Sequence, residues 1–249
     1  MSVYPRKEVV RFICMILLVI FTLSACNGKA DKDSGQGDEL VFVEEDYVFE
    51  RQYDFWGTMP RNVLESYLSR AVNHLGLCAG SPEPPTSYFE DDLRMLINIG
   101  AKFIGRAAYA WNTPANHENH IKLAKERAAT VHEADPDIIL QACIFEAVYK
   151  TLEKIPIPDW VFDEFGLEPE NRNFSFEAML YDDGSFRDQW GPDSGVPDMT
   201  KLETQMWFYY WAVQYIDAGY EAIHFGQVHL MSRVDFGYMS WYDILGRIR

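Results

Sequence analysis

Three times along this chain a helical run is followed, after a glycine or a proline break, by a short and almost wholly apolar run. Residues 89–99, "FEDDLRMLINI", close at Gly100 and hand over to "AKFIGRAAYAW" at 101–111. Residues 116–133 form a second helical run, ended by Asp135-Pro136, before the apolar stretch 138–146. A third spans about 199–218, ends at Gly219 and leads into "EAIHFGQVHLM" at 221–231. Helix and buried strand in alternation predict a parallel sheet joined by crossover helices. The strand runs are too continuously apolar to have one wet face, so both faces of the sheet are expected to be covered.

The remainder of the chain extends this α/β pattern. Residues 40–56, rich in Val, Phe and Tyr, predict a strand or hairpin, and "PRNVLESYLSRAVNHL" from Pro60 predicts a helix that runs into the apolar "LGLCAG". Parallel βα units of this kind build a TIM-type (β/α)₈ barrel, with an open doubly wound sheet as the alternative. A complete barrel takes about 250 residues for eight units. Only four or five strands can be counted before the chain stops in "SWYDILGRIR". The expectation is therefore a partial barrel, either truncated or completed by a partner chain. Residues 40–249 are read as one such domain, interrupted by an insertion at about 149–198 that carries Trp160, Phe162, Phe165, Phe174, Phe176, Tyr181, Phe186 and Trp190. Insertions of that length usually carry function.

The first 25 residues have a different character. Arg6, Lys7 and Arg11 precede a 12-residue apolar core from Phe12 to Leu23, whereas a membrane span needs about 20 residues. This is a secretion signal. It closes with "LSAC" at 23–26, which resembles the lipobox of bacterial lipoproteins. The resemblance implies that Cys26 becomes the lipidated first residue of the mature chain and carries acyl groups such as palmitate. Residues 26–39 are too polar to fold and read as a tether. Their Lys and Asp residues just past the cysteine resemble surface-export signals of such lipoproteins. Together these imply an extracytoplasmic protein of the bacterial cell envelope, held at the outer membrane or cell surface by its lipid.

Charge narrows the partners. Of the 22 basic and 38 acidic residues, the signal removes three basic and one acidic, which leaves 19 against 37. So acidic a surface repels phosphate backbones, and no nucleic-acid partner is expected. Attachment to membrane is assigned to the lipid alone. Cys78 and Cys143 could pair in an oxidising compartment, but both sit in apolar runs where a cysteine is usually a small buried hydrophobe.

Candidate chemistry sits at the strand ends. In 138–146, alternation puts Glu146 on one face with Leu140, Ala142 and Ile144; in 101–111, Arg106 shares its face with Ile104, Ala108 and Ala110. A buried arginine needs a partner, and Glu146 is the obvious one. Glu146 is then either the brace of an Arg106–Glu146 ion pair or a catalytic carboxylate whose pKa Arg106 tunes. On the third strand Gln227 and His229 share a face, with Asp235 the nearest acid beyond. Trp111 and Asn112 follow the Arg106 strand, at the rim where a ligand would lie.

These features are similar to glycoside-hydrolase-like (β/α)₈ barrels of bacterial surface lipoproteins, over about residues 60–249. The resemblance implies a glycan substrate, with Glu146 as acid/base and Arg106, Trp111, Asn112, Gln227 and His229 as substrate contacts. The partner carboxylate of such an enzyme is missing from the third strand, so a non-catalytic glycan-binding lipoprotein of the same fold is the alternative. No cofactor is implied: there is no glycine-rich phosphate loop and no Gly-x-Ser-x-Gly elbow. No metal site is expected either. "HENH" at 117–120 lacks zinc-motif spacing, His224 and His229 fall on opposite strand faces, and "DDGSFRDQW" at 182–190 departs from the calcium-loop pattern. Aromatics on every face of "MWFYYWAVQY", 206–215, predict a buried helix.

The lipid assignment is open to a direct test. Cys26→Ala is expected to abolish incorporation of labelled palmitate and to release the protein from the membrane fraction into detergent-free extract.

Overall fold

The computed structural model describes residues 52–81, 88–112 and 116–249. The signal, Cys26, the tether and residues 40–51 of the strand or hairpin expected at 40–56 lie outside the described residues; residues 52–56 are not strand. The described residues fall within the unit Phe49–Arg249.

The chain runs α1 (Arg61–Ser69), β1 (Ala71–Asn73), α2 (Phe89–Asn98), β2 (Phe103–Ala110), α3 (His117–Ala134) and β3 (Ile139–Ile144). It continues through β4 (Val148–Tyr149), α4 (Asp159–Glu164), β5 (Ser194–Gly195), α5 (Leu202–Asp217), β6 (Ala222–Phe225), α6 (Val228–Met231) and α7 (Met239–Ile248). Strands β1, β2, β3 and β6 form one sheet in that order, every pairing parallel, and β4 with β5 makes a two-residue antiparallel ribbon. The fold is α/β, a parallel sheet flanked by helices. Among the described residues the strands of this sheet add in sequence order.

The helices follow from their sequences. Helix α2 carries Glu90, Asp91 and Asp92 in its first turn, where carboxylates favour the positive end of the helix dipole, and buries Phe89, Leu93 and Leu96. Helix α3 is capped by the Asn116 side chain, which accepts from the Asn119 N–H, and buries His120, Ala124, Ala128 and Val131 along one stripe. Its alanines let the backbone lie close to the sheet. Helix α5 is the buried aromatic helix: Met206, Trp207, Phe208, Tyr210, Trp211, Ala212 and Tyr215 are all in the core.

The two faces of the sheet differ. Ile104, Leu140, Ala142 and Ile144 join the main core with residues of α2, α3 and α5. On the other face, Ile139 packs with Val63 and Tyr67 of α1, and Phe103 and Ala222 lie against that small cluster. Helix α1 therefore lies over the beginnings of β2, β3 and β6.

The insertion is packed structure rather than an open loop. Phe162, Phe174, Phe176, Met179 and Val196 are buried, Trp160 stacks on Tyr210 and Phe174 meets Trp207 edge-on. Arg172 binds the buried Glu203 carboxylate through two nitrogens, at 2.8 and 3.0 Å, and Ser175 N–H donates to the same group. Within 182–190, Asp183 pairs with Arg233 at 2.6 Å. Cys78 and Cys143 are free, buried thiols, each pushed up to about 12 by burial. Among the described residues no helix is long and apolar enough to cross a membrane.

Two strand expectations are corrected. The run 138–146 is strand only to Ile144, with a bend at Glu146, and the run 221–231 only to Phe225, with residues 228–231 in helix α6. Apolar composition marks burial but cannot say where a ladder stops, because a short helix buries the same residues.

His120 offers a test of the α3–α5 contact. Its Nε2 lies 3.0 Å from the Tyr215 hydroxyl, and burial, with a smaller contribution from His117, pushes its pKa down to about 4. The unfolded chain, with an ordinary histidine near 6.5, then binds more protons than the folded one between those two values. Stability should fall as pH drops from about 6.5 towards 4, by about 3 kcal/mol in the limit. Denaturant titrations across this window should show the His120→Gln variant losing that component of the pH slope.

Candidate functional site

Parallel pairing brings the C-terminal ends of β2, β3 and β6 to one edge of the sheet, and the candidate residues gather there. The centre is Glu146, two residues past the end of β3. It is 2 % exposed. Its Oε1 accepts from the Gln227 side-chain amide at 2.6 Å, and its Oε2 accepts from the Gln227 backbone N–H at 3.0 Å. One residue thus occupies both oxygens.

That contact requires Gly226. The Gly226 N–H donates to the Ile144 carbonyl at 2.9 Å, which carries the β3–β6 pairing one step past the strand. A Cβ at Gly226 would fall 2.0 Å from Glu146 Oε2, 2.8 Å from Glu146 N and 3.1 Å from Phe145 Cα. Only a residue without a side chain lets the two strand ends close on the carboxylate.

Arg106 does not make the expected ion pair. No contact within 4.0 Å joins it to Glu146; its Nη2 instead lies 3.5 Å from His224 Nε2, and its guanidinium stands 5.9 Å from the centre of the Phe145 ring. Arginine has only donors, so His224 Nε2 must accept and the ring proton sits on Nδ1. Burial, then the Arg106 charge, holds His224 below its usual pKa, opposed by Glu146. The histidine is neutral at neutral pH.

The cause of the misplaced pairing is a bulge. Between the register pairs Ile104↔Leu140 and Ala108↔Ala142, β2 has three residues where β3 has one. Arg106 lies within this irregularity with φ +56°, a left-handed backbone that costs a non-glycine residue about 1–3 kcal/mol. The surplus is two residues, so Ile104 and Ala108 keep one face, and the parity rule fails only at Arg106 itself, inside the irregularity.

Trp111 and Asn112 do sit at the rim. Trp111 is half-buried, donates from Nε1 to the Tyr149 hydroxyl at 3.0 Å, and meets Phe145 and Trp190 edge-on at 4.9 and 5.2 Å. Asn112 Oδ1 accepts from the Ser81 hydroxyl at 3.0 Å. Between Trp111, Asn112 and Phe145 on one side and Trp207, Trp211 and Tyr215 of α5 on the other lies a cavity of about 20 Å³, room for one water.

Gln227 and His229 do not share a strand face. Gln227 is exposed and precedes α6, with its amide committed to Glu146; His229 is exposed on α6 itself. His229 makes no hydrogen bond among the described residues, so the structure does not tie it to the Glu146 cluster. Asp235 is buried and turns to the chain after it, its Oδ1 accepting from Ser240 N–H. His224, Gly226 and Tyr149 belong to the site and were not selected from sequence. For His224 the available signal was a histidine inside the apolar run "AIHF".

Among the described residues no cluster of three or more metal-ligating side chains occurs. No protein-family model and no curated protein matches the chain.

The cradle around Glu146 makes a sharp prediction. Gly226→Ala should destabilise the protein by about 3 kcal/mol or more, since backbone as well as the carboxylate blocks the added methyl. Thermal or denaturant unfolding measures it; a variant as stable as the parent would contradict the close approach.

Proposed function

We propose that this is a lipid-anchored, extracytoplasmic protein of the bacterial envelope, built on a segment of a glycoside-hydrolase-like (β/α)₈ frame, whose strand-end site takes a glycan. Several features support the frame. Parallel strands add in sequence order, α1 covers their beginnings, and the polar side chains collect at their C-terminal ends, where such barrels bind substrate.

The glycan reading rests chiefly on one juxtaposition. Phe145 touches Trp111 and, through it, Trp190, while the next residue, Glu146, is bound by Gln227. Aromatic rings and a carboxylate–amide pair thus adjoin on one dipeptide. Rings present apolar faces to sugar C–H groups, and the exposed Gln227 amide keeps a second N–H and its carbonyl for hydroxyls.

Binding without turnover is the favoured form of this reading. Glu146 is sealed from solvent with both oxygens engaged, so no lone pair or proton faces a glycosidic oxygen in this arrangement. It acts as a brace for the β3–β6 junction, with Gln227 rather than Arg106 as its partner. Hydrolysis is the second reading, favoured by a neutral imidazole at His224 within electrostatic reach of Glu146.

Glu146→Gln separates the two. As a brace, the variant turns an amide N–H₂ towards donors on Gln227 and should lose about 1–3 kcal/mol of stability, without any glycosidase activity in the parent to lose. As an acid/base, it should leave folding and binding nearly intact and abolish turnover. Melting curves, oligosaccharide binding and reducing-sugar release, measured on parent and variant together, decide it.

A further inference from the structure

Arg106 is a cation without a carboxylate partner among the described residues, at a position of strained backbone. Its backbone is left-handed inside a strand, at a bulge that re-aims the side chain. The guanidinium is half-buried, yet no carboxylate lies within 4.0 Å of it among the described residues. Its polar contact is one nitrogen of a neutral histidine, at the long limit of a hydrogen bond. One arginine N–H points at His224, which leaves the other donors of a planar fork without a protein acceptor. A half-buried guanidinium with no carboxylate partner keeps donors open to water or to a ligand.

The surroundings favour a ligand. Phe145 offers its ring to the guanidinium from 5.9 Å and meets Trp111 edge-on at 4.9 Å. Arg106 thus adjoins the Phe145–Trp111 aromatic group. Its open fork matches a planar carboxylate, which takes two parallel N–H bonds, better than a lone hydroxyl, which accepts one.

We propose that Arg106 is the anion-recognition residue of the strand-end site, and that the glycan taken there carries a carboxylate, as in a uronic-acid unit. This rests on the glycan reading above and names its substrate class. The chain's strongly acidic surface would repel an acidic polymer at long range. At physiological salt that field decays over about 8 Å, so recognition depends on the local contact with Arg106.

Isothermal calorimetry on the intact protein tests this with oligouronides of galacturonate, mannuronate and glucuronate, each beside its methyl-esterified form, and with neutral oligosaccharides. The free acid should bind at least about tenfold tighter than its ester. That preference should vanish in Arg106→Gln and Arg106→Gly and persist in part in Arg106→Lys. Arg106→Gly also guards against misfolding: glycine adopts the positive φ without strain, so this variant should melt no lower than Arg106→Gln while losing the preference. Equal binding of acid and ester, or a preference that survives Arg106→Gln, overturns the inference and leaves the glycan reading standing. Absence of binding to acidic and neutral sugars alike removes the glycan reading and the inference with it.

Discussion

Parallel strand pairing is the constraint on which the rest of this protein depends. A parallel pair cannot close with a tight turn, so each strand must be followed by a crossover, and here the crossovers are α2, α3 and α5. Those helices need apolar stripes to lie on the sheet, which is why Leu96, Ala124, Ala128 and Trp211 are in the core with Ile104, Leu140 and Ala142. The same geometry sends all strand ends to one edge. Side chains far apart in sequence, such as Arg106 and His224, come together there because the backbone leaves them no other place.

At that edge the protein closes β3 on β6 through an unusually tight contact. Gly226 admits the Glu146 carboxylate against its backbone, and Gln227 then fills both carboxylate oxygens. A buried carboxylate with its hydrogen bonds satisfied is a rigid joint. It also leaves Arg106 without an acid, because the residue that could have neutralised it is committed elsewhere. Glu146 and Arg106 are therefore two separate features, a carboxylate held by Gln227 and a guanidinium beside His224, rather than one ion pair.

The insertion between β3 and α5 reinforces this edge. Its aromatic residues pack on Trp207 and Tyr210 of α5 and its Arg172 clasps Glu203 at the start of that helix. The β4–β5 ribbon ties its two ends together beside Trp190 and Tyr149, which reach Trp111. A segment so rich in Phe, Trp and Tyr has more apolar surface than a loop can leave in water, and most of it becomes core.

Much of the architecture was legible in the amino-acid order. The three helix–strand units, the stops at Gly100, Asp135-Pro136 and Gly219, and the burial of the aromatic helix all follow from periodicity and composition, which are local properties of the chain. The importance of Arg106 and Glu146 was legible too, since charged residues in apolar runs must be accounted for. Which partner each one found was not. The bulge at Arg106, the end of β6 at Phe225 and the turn of Gln227 back onto Glu146 arise from register between strands distant in sequence. Alternation predicts faces only while a ladder stays regular, and a single irregular step reassigns every neighbour beyond it. Sequence determined that this chain would build parallel α/β units with charge at their ends; tertiary structure decided which charges meet, because that depends on distances between strands that no local pattern encodes.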